Sequence, residues 1–181
     1  TPDSLFIACS DSRVVPNLFA STNPGDLFVV RNVGNLIPPC DSKGVSTADE
    51  SEAAAIEFAV LTLKVRDIIL CGHSECGAIQ ALIQGREHVT TPNLRAWLRH
   101  AERSLSKKGA NLLVEGPKEH HNLVSQLHVL QQMAHLKTYP SVQARLREGK
   151  LRLHGWWFEL STASVYAYED RTKRFVLIDE V

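Results

Sequence analysis

An amphipathic stretch, STADESEAAAIEFAVLTLKV (46–65), runs straight into an apolar segment, DIILCGH (67–73), and two further apolar segments lie ahead of it, SLFIAC (4–9) and DLFVVRNV (26–33). Within the amphipathic stretch Ala53, Ile56, Val60 and Leu63 recur at helical spacing. Ser46 and Thr47 offer caps, and Asp49, Glu50 and Glu52 suit the positive end of a helix dipole. The apolar segments read as short buried strands. Strand, long helix, strand is a βαβ unit, and its strands pair in parallel because the crossover returns the chain to the same edge.

The remainder fits the same architecture. VPNLFAS (15–21) predicts a brief helical turn, GNLIPPCDSKG a loop, and CGAIQALIQ (76–84) a helix. The middle of the chain is helical in TPNLRAWLRHAERSL, in KEHHNLVSQLHVLQQMAHLKTY and in PSVQARLREGK. In the tail, LRLHGWWFEL predicts one strand, followed by SVYAYED and KRFVLIDEV as a hairpin-like pair. There is no internal repeat and no low-complexity linker. The expected fold is α/β: one domain over residues 1–181, with a mainly parallel central β-sheet flanked by helices.

A chain of 181 residues is long enough for one sizeable core and short for two. Lys+Arg and Asp+Glu number 20 each, which argues against nucleic acid or an anionic membrane as a partner. No apolar run has the length of a membrane span, and nothing resembles a signal peptide. The chain begins almost inside its first strand, so residues ahead of Thr1 are expected in the natural protein. Four cysteines are too few for a disulfide framework and favour metal or catalytic use in a reducing, cytoplasmic setting.

Two strand ends carry the chemistry. CSDSR (9–13) closes the first strand, and alternate residues of a strand share a face, so Cys9, Asp11 and Arg13 point one way. HSEC (73–76) closes the third. The carboxyl ends of parallel strands form the functional edge of an α/β sheet, so Cys9, His73 and Cys76 can converge there. Two thiolates and an imidazole suit zinc, and three protein ligands leave a fourth tetrahedral position for water or substrate. Taken singly, His73 reads equally as an ordinary hydrogen-bonded histidine, and the cysteines as small buried residues. Together, both at strand ends, they predict one Zn2+ per chain. Asp11 can only accept hydrogen bonds when ionised, which suits it to orient the metal's water-derived ligand. Arg13 beside it holds the carboxylate ionised and in one rotamer.

ACSDSR followed by GHSECGA resembles the β-class carbonic anhydrases, and PGDLFVVRNVGNLIPP, AAAIEFAVLTLKV and LHGWWFEL extend the likeness over most of the chain. The resemblance implies reversible hydration of carbon dioxide to bicarbonate and a proton by zinc-hydroxide attack. It assigns zinc to Cys9, His73 and Cys76, and the supporting dyad to Asp11 and Arg13. It also implies a narrow apolar CO2 pocket involving Phe28, Val33, Phe58 and the Gly77 backbone, shared across a homodimer that can pair further into a dimer of dimers. The family's substrate-binding glutamine falls immediately before Thr1. One subset of the family has a bicarbonate-inhibited state that uses a Trp and a Tyr at the positions of Phe6 and Phe158, alongside an arginine matched by Arg31. Without those donors an open site is expected near neutral pH. Plant-type members carry Tyr and His where this chain has Phe58 and Thr62, so proton export is expected to rely on solvent, buffer, or a histidine such as His88 or His154.

Other residues have plainer readings. Cys71 reads as a core residue and Cys40 as a loop thiol. His121, His128 and His135 recur at heptad spacing, too far apart to share an ion, and read as solvated or interface histidines. Trp97, Trp156 and Trp157 read as packing residues, and SLSKK (104–108) as a solvated helix end. Two other functions stay open on the sequence: zinc chemistry on carbon disulfide or carbonyl sulfide, and a structural or redox zinc module with Cys71 or Asp11 as fourth ligand.

Overall fold

The computed structural model describes residues 1–48, 50–105 and 116–178. Its centre is a six-stranded sheet. Strands β1 (Ser4–Cys9), β2 (Leu27–Asn32), β3 (Asp67–His73), β4 (Arg152–Glu159), β5 (Ser164–Glu169) and β6 (Arg174–Leu177) are ordered β2-β1-β3-β4-β5-β6. The first four pair in parallel and the last two add on antiparallel, as a mainly parallel sheet requires. The apolar segments became strands because both their faces are covered: Leu5, Phe6, Ile7, Ile68 and Leu70 are fully or almost fully buried.

Helices α1 (Pro16–Phe19), α2 (Glu50–Glu57), α3 (Gly77–Gln84), α4 (Pro92–Trp97), α5 (Glu102–Leu105), α6 (Pro117–Leu136) and α7 (Pro140–Arg147) flank the sheet. α6 packs on β3 and β4. Among the described residues no helix is long and apolar enough to cross a membrane.

The predicted helix over 46–65 is corrected at both ends. It starts at Glu50, after Ser46, which bridges to Cys40, and Thr47, whose hydroxyl donates to the Pro39 carbonyl. Asp49 lies outside the described residues. Beyond Glu57 the chain continues as a π-helical turn over Phe58–Leu63, ending on Lys64 in left-handed conformation. Such a turn bonds i to i+5 instead of i+4, a change that hydrophobic spacing over six residues cannot register. Ile56 and Val60 are buried as the spacing implied, with Ala53 and Leu63 packed partly against them.

At the amino ends of β3 and β4, Asp67 receives two hydrogen bonds from Arg152, both at 2.8 Å, and one from His154 at 2.7 Å. Burial opposes ionisation of Asp67, yet these donors outweigh it and hold the carboxyl below its ordinary range. A carboxyl lowered in the folded state stabilises fully above its unfolded pKa and loses that contribution as pH falls through the folded value. Asp67→Asn should therefore lower Tm modestly at pH 6. In thermal melts from pH 6 down to pH 2 the difference from the unsubstituted protein should shrink below about pH 4. A difference that stays constant across that range would mean that Asp67 contributes nothing through its charge.

Candidate metal centre

β1 lies between β2 and β3, so the chain leaves its carboxyl end in opposite directions across the sheet, the arrangement that opens a crevice at that edge. The register that aligns Ala8 with Cys71 brings Cys9 beside the end of β3. The thiols of Cys9 and Cys76 and a ring nitrogen of His73 all lie within 4.8 Å of one another, and all three residues are buried.

Each donor is prepared by its local fold. His73 donates from Nδ1 to the Ser74 carbonyl at 2.8 Å, which leaves the lone pair on Nε2. That Nε2 is buried and has no hydrogen-bond partner. An orphaned imidazole nitrogen facing two thiols is what a bound cation resolves, and the nitrogen–sulfur donor set fits zinc. Cys9 receives the amide of Gly34 at 3.3 Å. A hydrogen bond from the Cys76 thiol, against burial, with further help from His73 and nearby amides, brings the Cys9 thiol down to about 4. Cys76 moves the opposite way, because the Cys9 thiolate and burial both disfavour a second charge. A cation bound between them would let both sulfurs be thiolates at once.

Gly34 is required here twice over. Its φ of +81° lies in the region that favours glycine, and an added Cβ would stand 2.8 Å from the Ala78 Cβ. Asn32 shapes this loop by donating to the Leu36 carbonyl and accepting the Leu36 amide, both at 2.8 Å. Arg31 ties down the neighbouring strand end through the carbonyls of Cys9 at 3.0 Å and Asp11 at 2.6 Å.

Asp11 and Arg13 face each other through Nε–Oδ1 at 3.0 Å and Nη2–Oδ2 at 2.8 Å, and the Arg13 amide also donates to Oδ1 at 3.0 Å. These bonds hold the Asp11 carboxyl well below the usual carboxylate range, outweighing its partial burial. Glu75 braces the far side of Arg13 at 3.1 Å while holding a left-handed φ of +56°. Its role was not anticipated: nothing in HSEC distinguishes a middle residue that turns back to another strand's arginine.

A cleft of about 320 Å³ opens beside the cluster, lined by Cys9, Ser10, Asp11, Val33, Gly77, Ala78, Ala81 and Leu94. Phe28 and Phe58 lie outside this cleft, with ring centroids 5.8 Å apart and Phe58 48% exposed. Phe6 is buried edge-on to Phe19 and Trp156, and Phe158 stacks on Phe19 at 4.5 Å, so the side chains at positions 6 and 158 are packed phenyl rings with no polar donor. His154 sits at the opposite end of the sheet, on Asp67, and His88 is exposed beside Glu87.

The family whose sequence model is described as carbonic anhydrase matches residues 4–165. The chain is 38% identical to a carbonic anhydrase of Pseudomonas aeruginosa over 99% of its own length and 79% of that protein's. It is 40% identical to one from Synechocystis over 97% of its length, spanning 62% of that relative. Among solved structures, the β-carbonic anhydrase CcaA superposes with a TM-score of 0.89 at 38% identity, covering 98% of this chain and 84% of that one.

The chain belongs to the β-carbonic anhydrase family. It is thus an enzyme of that class, and the sequence resemblance stands on the whole fold. A tetrameric β-carbonic anhydrase from Sordaria macrospora is also similar, with a TM-score of 0.81 at 30% identity, covering 92% of this chain and 80% of that one.

Some expectations hold at this site and others change. Cys71 is the core residue that the sequence implied, and no fourth ligand. It is fully buried, burial pushes its thiol up, and its Sγ donates to the Gly72 carbonyl. Asp11 is engaged by Arg13 and stands outside the donor cluster. The three heptad-spaced histidines of α6 are not solvated: His121, His128 and His135 are buried and bond the carbonyls of Cys76, Gly34 and Ile37. Burial pushes His128 down to about 4, so it stays neutral. Ser104 is likewise buried and donates to His128, whereas residues 106–108 of SLSKK lie outside the described residues. The tryptophans pack as expected but also donate, Trp97 to the Val33 carbonyl and Trp157 to Ser125. A signal for the polar face existed in Val124, Val129 and Leu136, which point one side of the helix inward and take Ser125, His128 and Gln132 with it.

Replacing any one donor should collapse metal uptake, because a hydroxyl or methyl cannot substitute for thiolate or imidazole. Cys9→Ser, His73→Ala and Cys76→Ser should each fall far below one zinc per chain by elemental analysis. Full occupancy in all three would overturn the ligand set.

Proposed function

We propose that this chain catalyses the reversible hydration of CO2 to bicarbonate and a proton, with one zinc ion held by Cys9, His73 and Cys76. One observation carries the reading: the bare, buried Nε2 of His73 and two thiols cluster beside a cleft lined by Cys9 and by the charged carboxylate of Asp11. Family membership supplies the reaction class. Bound there, zinc would supply acidity, lowering the pKa of a coordinated water from about 15.7 towards about 7.

The chain's own residues do the rest. Asp11 stays ionised across the working pH range, so its free lone pairs accept a hydrogen bond from the attacking water species and aim that oxygen at the substrate carbon. Arg13, paired on one side with Asp11 and on the other with Glu75, denies Asp11 any other rotamer. Val33, Ala78, Ala81 and Leu94 give the cleft apolar walls suited to a small, linear, uncharged molecule.

The proposal includes a second copy of the chain. Val29, Val33, Phe58 and Leu61 are between 37% and 56% exposed. Burying them against a partner would bring the Phe28–Phe58 pair into the wall of a pocket shared between copies, as a homodimer or a dimer of dimers. Thiolate ligands and unpaired cysteines favour a reducing, cytoplasmic setting.

Asp11→Asn tests the mechanism. Zinc affinity should change by no more than about 10–100-fold. Stopped-flow CO2 hydration should drop roughly 10²-fold, because an amide can present its NH2 and misorient the attacking oxygen. Near-normal turnover would remove Asp11 from the mechanism.

Proton export should depend on the medium, since His154 is at the far end of the sheet and Phe58 and Thr62 offer no titrating group. Raising the concentration of an imidazole-type buffer should increase kcat while leaving kcat/KM, which reports the CO2 step, almost unchanged. A kcat that is flat over a wide buffer range would reveal an internal relay.

A further inference from the structure

Helix α6 turns a polar face towards the metal-ligand cluster and buries it completely enough that each side chain there must find a partner. His121, Ser125 and His128 stand at i, i+4 and i+7, which stacks them along one side of a helix. His121 donates from Nε2 to the Cys76 carbonyl at 3.0 Å. Ser125 Oγ donates to the His73 carbonyl at 2.8 Å. His128 donates from Nε2 to the Gly34 carbonyl at 2.8 Å, and the Gly34 amide donates in turn to Cys9 Sγ at 3.3 Å. Successive rungs thus reach the backbone of two ligand residues directly and the thiol of the third through one glycine.

We propose that α6 is a positioning helix for the metal site: these three rungs preset where the Cys76, His73 and Cys9 donors stand, so that zinc meets a formed triangle. This rests on the zinc reading given above. The physical ground is that a ligand's side chain starts from its own peptide unit. Fixing the carbonyl of Cys76 and of His73 removes backbone freedom that the metal would otherwise have to order.

The rungs are themselves held from behind. Ser125 Oγ accepts from Trp157 Nε1 of β4 at 3.1 Å, and His128 Nδ1 accepts from Ser104 Oγ of α5 at 3.0 Å. Helix and strand approach closely just ahead of His73, where a Cβ on Gly72 would lie 2.6 Å from Val129 Cγ2. The same face continues into Gln132 and His135, but those side chains bond the amide and carbonyl of Ile37, at 2.8 Å and 2.7 Å, on a segment with no ligand residue. One helix therefore carries upper rungs tied to the site and lower rungs of similar burial that are not.

That contrast is the test. On the full chain, zinc affinity would be measured by competition with a chromophoric chelator, thiolate-to-cobalt absorption on the cobalt-substituted protein, and Tm on the metal-free protein. His121→Leu, Ser125→Ala and His128→Leu should each weaken zinc binding by about 10–100-fold and alter the cobalt spectrum. Gln132→Ala and His135→Leu should lower the metal-free Tm while zinc affinity stays within about twofold, since they reach no ligand's peptide. His121→Gln, which keeps an N–H donor, should recover most of the affinity lost in His121→Leu. Ser125→Ala changes one atom and decides the matter if a leucine variant fails to fold. If upper and lower variants depress Tm alike and leave zinc affinity unchanged, α6 is scaffold only and the proposal is overturned. If the unsubstituted protein takes up no zinc, the zinc reading falls first and the positioning role with it.

Discussion

Parallel pairing of β1 with β3, continued by β2 on the outer side, places the ends of two strands at one edge although 64 residues separate Cys9 from His73. Everything chemical in this chain depends on that pairing. Cys9 and Asp11 leave the end of β1, His73 closes β3, and Cys76 opens the helix that follows. A slip of one residue would turn the side chains of β1 to the opposite face and separate the sulfur from the imidazole. The register is protected because Leu5 and Ile7 sit in one core cluster and Phe6 and Ala8 in another, so both faces of β1 are committed.

The site then shows how burial and charge are balanced. Two thiols and an imidazole have been taken out of water in mutual contact, and without a cation only one thiol is eased towards its charged form. Asp11 is spared the same conflict because Arg13 compensates its charge at the cleft mouth, where solvent still reaches. The metal-binding and the orienting group are thereby kept chemically separate, though only one residue stands between Cys9 and Asp11.

The support around the cluster engages the backbone of the ligand residues and of Gly34. Gly34 donates to one sulfur, the Ser74 carbonyl sets the imidazole tautomer, and side chains on the polar face of α6 bond the carbonyls of Cys76 and His73. Backbone groups are rigid once secondary structure forms, so a site assembled on them loses little to side-chain motion.

From the sequence alone, the strands Ser4–Cys9 and Asp67–His73, the parallel α/β class and the grouping of Cys9, His73 and Cys76 could be read, because each rests on local periodicity or on residue types whose chemistry allows few uses. The Asp11–Arg13 pair could be read for the same reason, since a single residue stands between the partners. The reading failed where a side chain's partner was distant in the chain. The histidines of α6 looked exposed because heptad spacing says which residues share a face but not what covers it. Glu75 looked incidental because its partner Arg13 lies 62 residues away. The π-turn after Glu57 and the placement of Phe28 and Phe58 outside the cleft depend on the packing of the whole sheet. Sequence determined the strands, the donors and their chemistry; tertiary structure decided their neighbours, because burial and hydrogen-bond partners are properties of the folded surroundings and not of the residue.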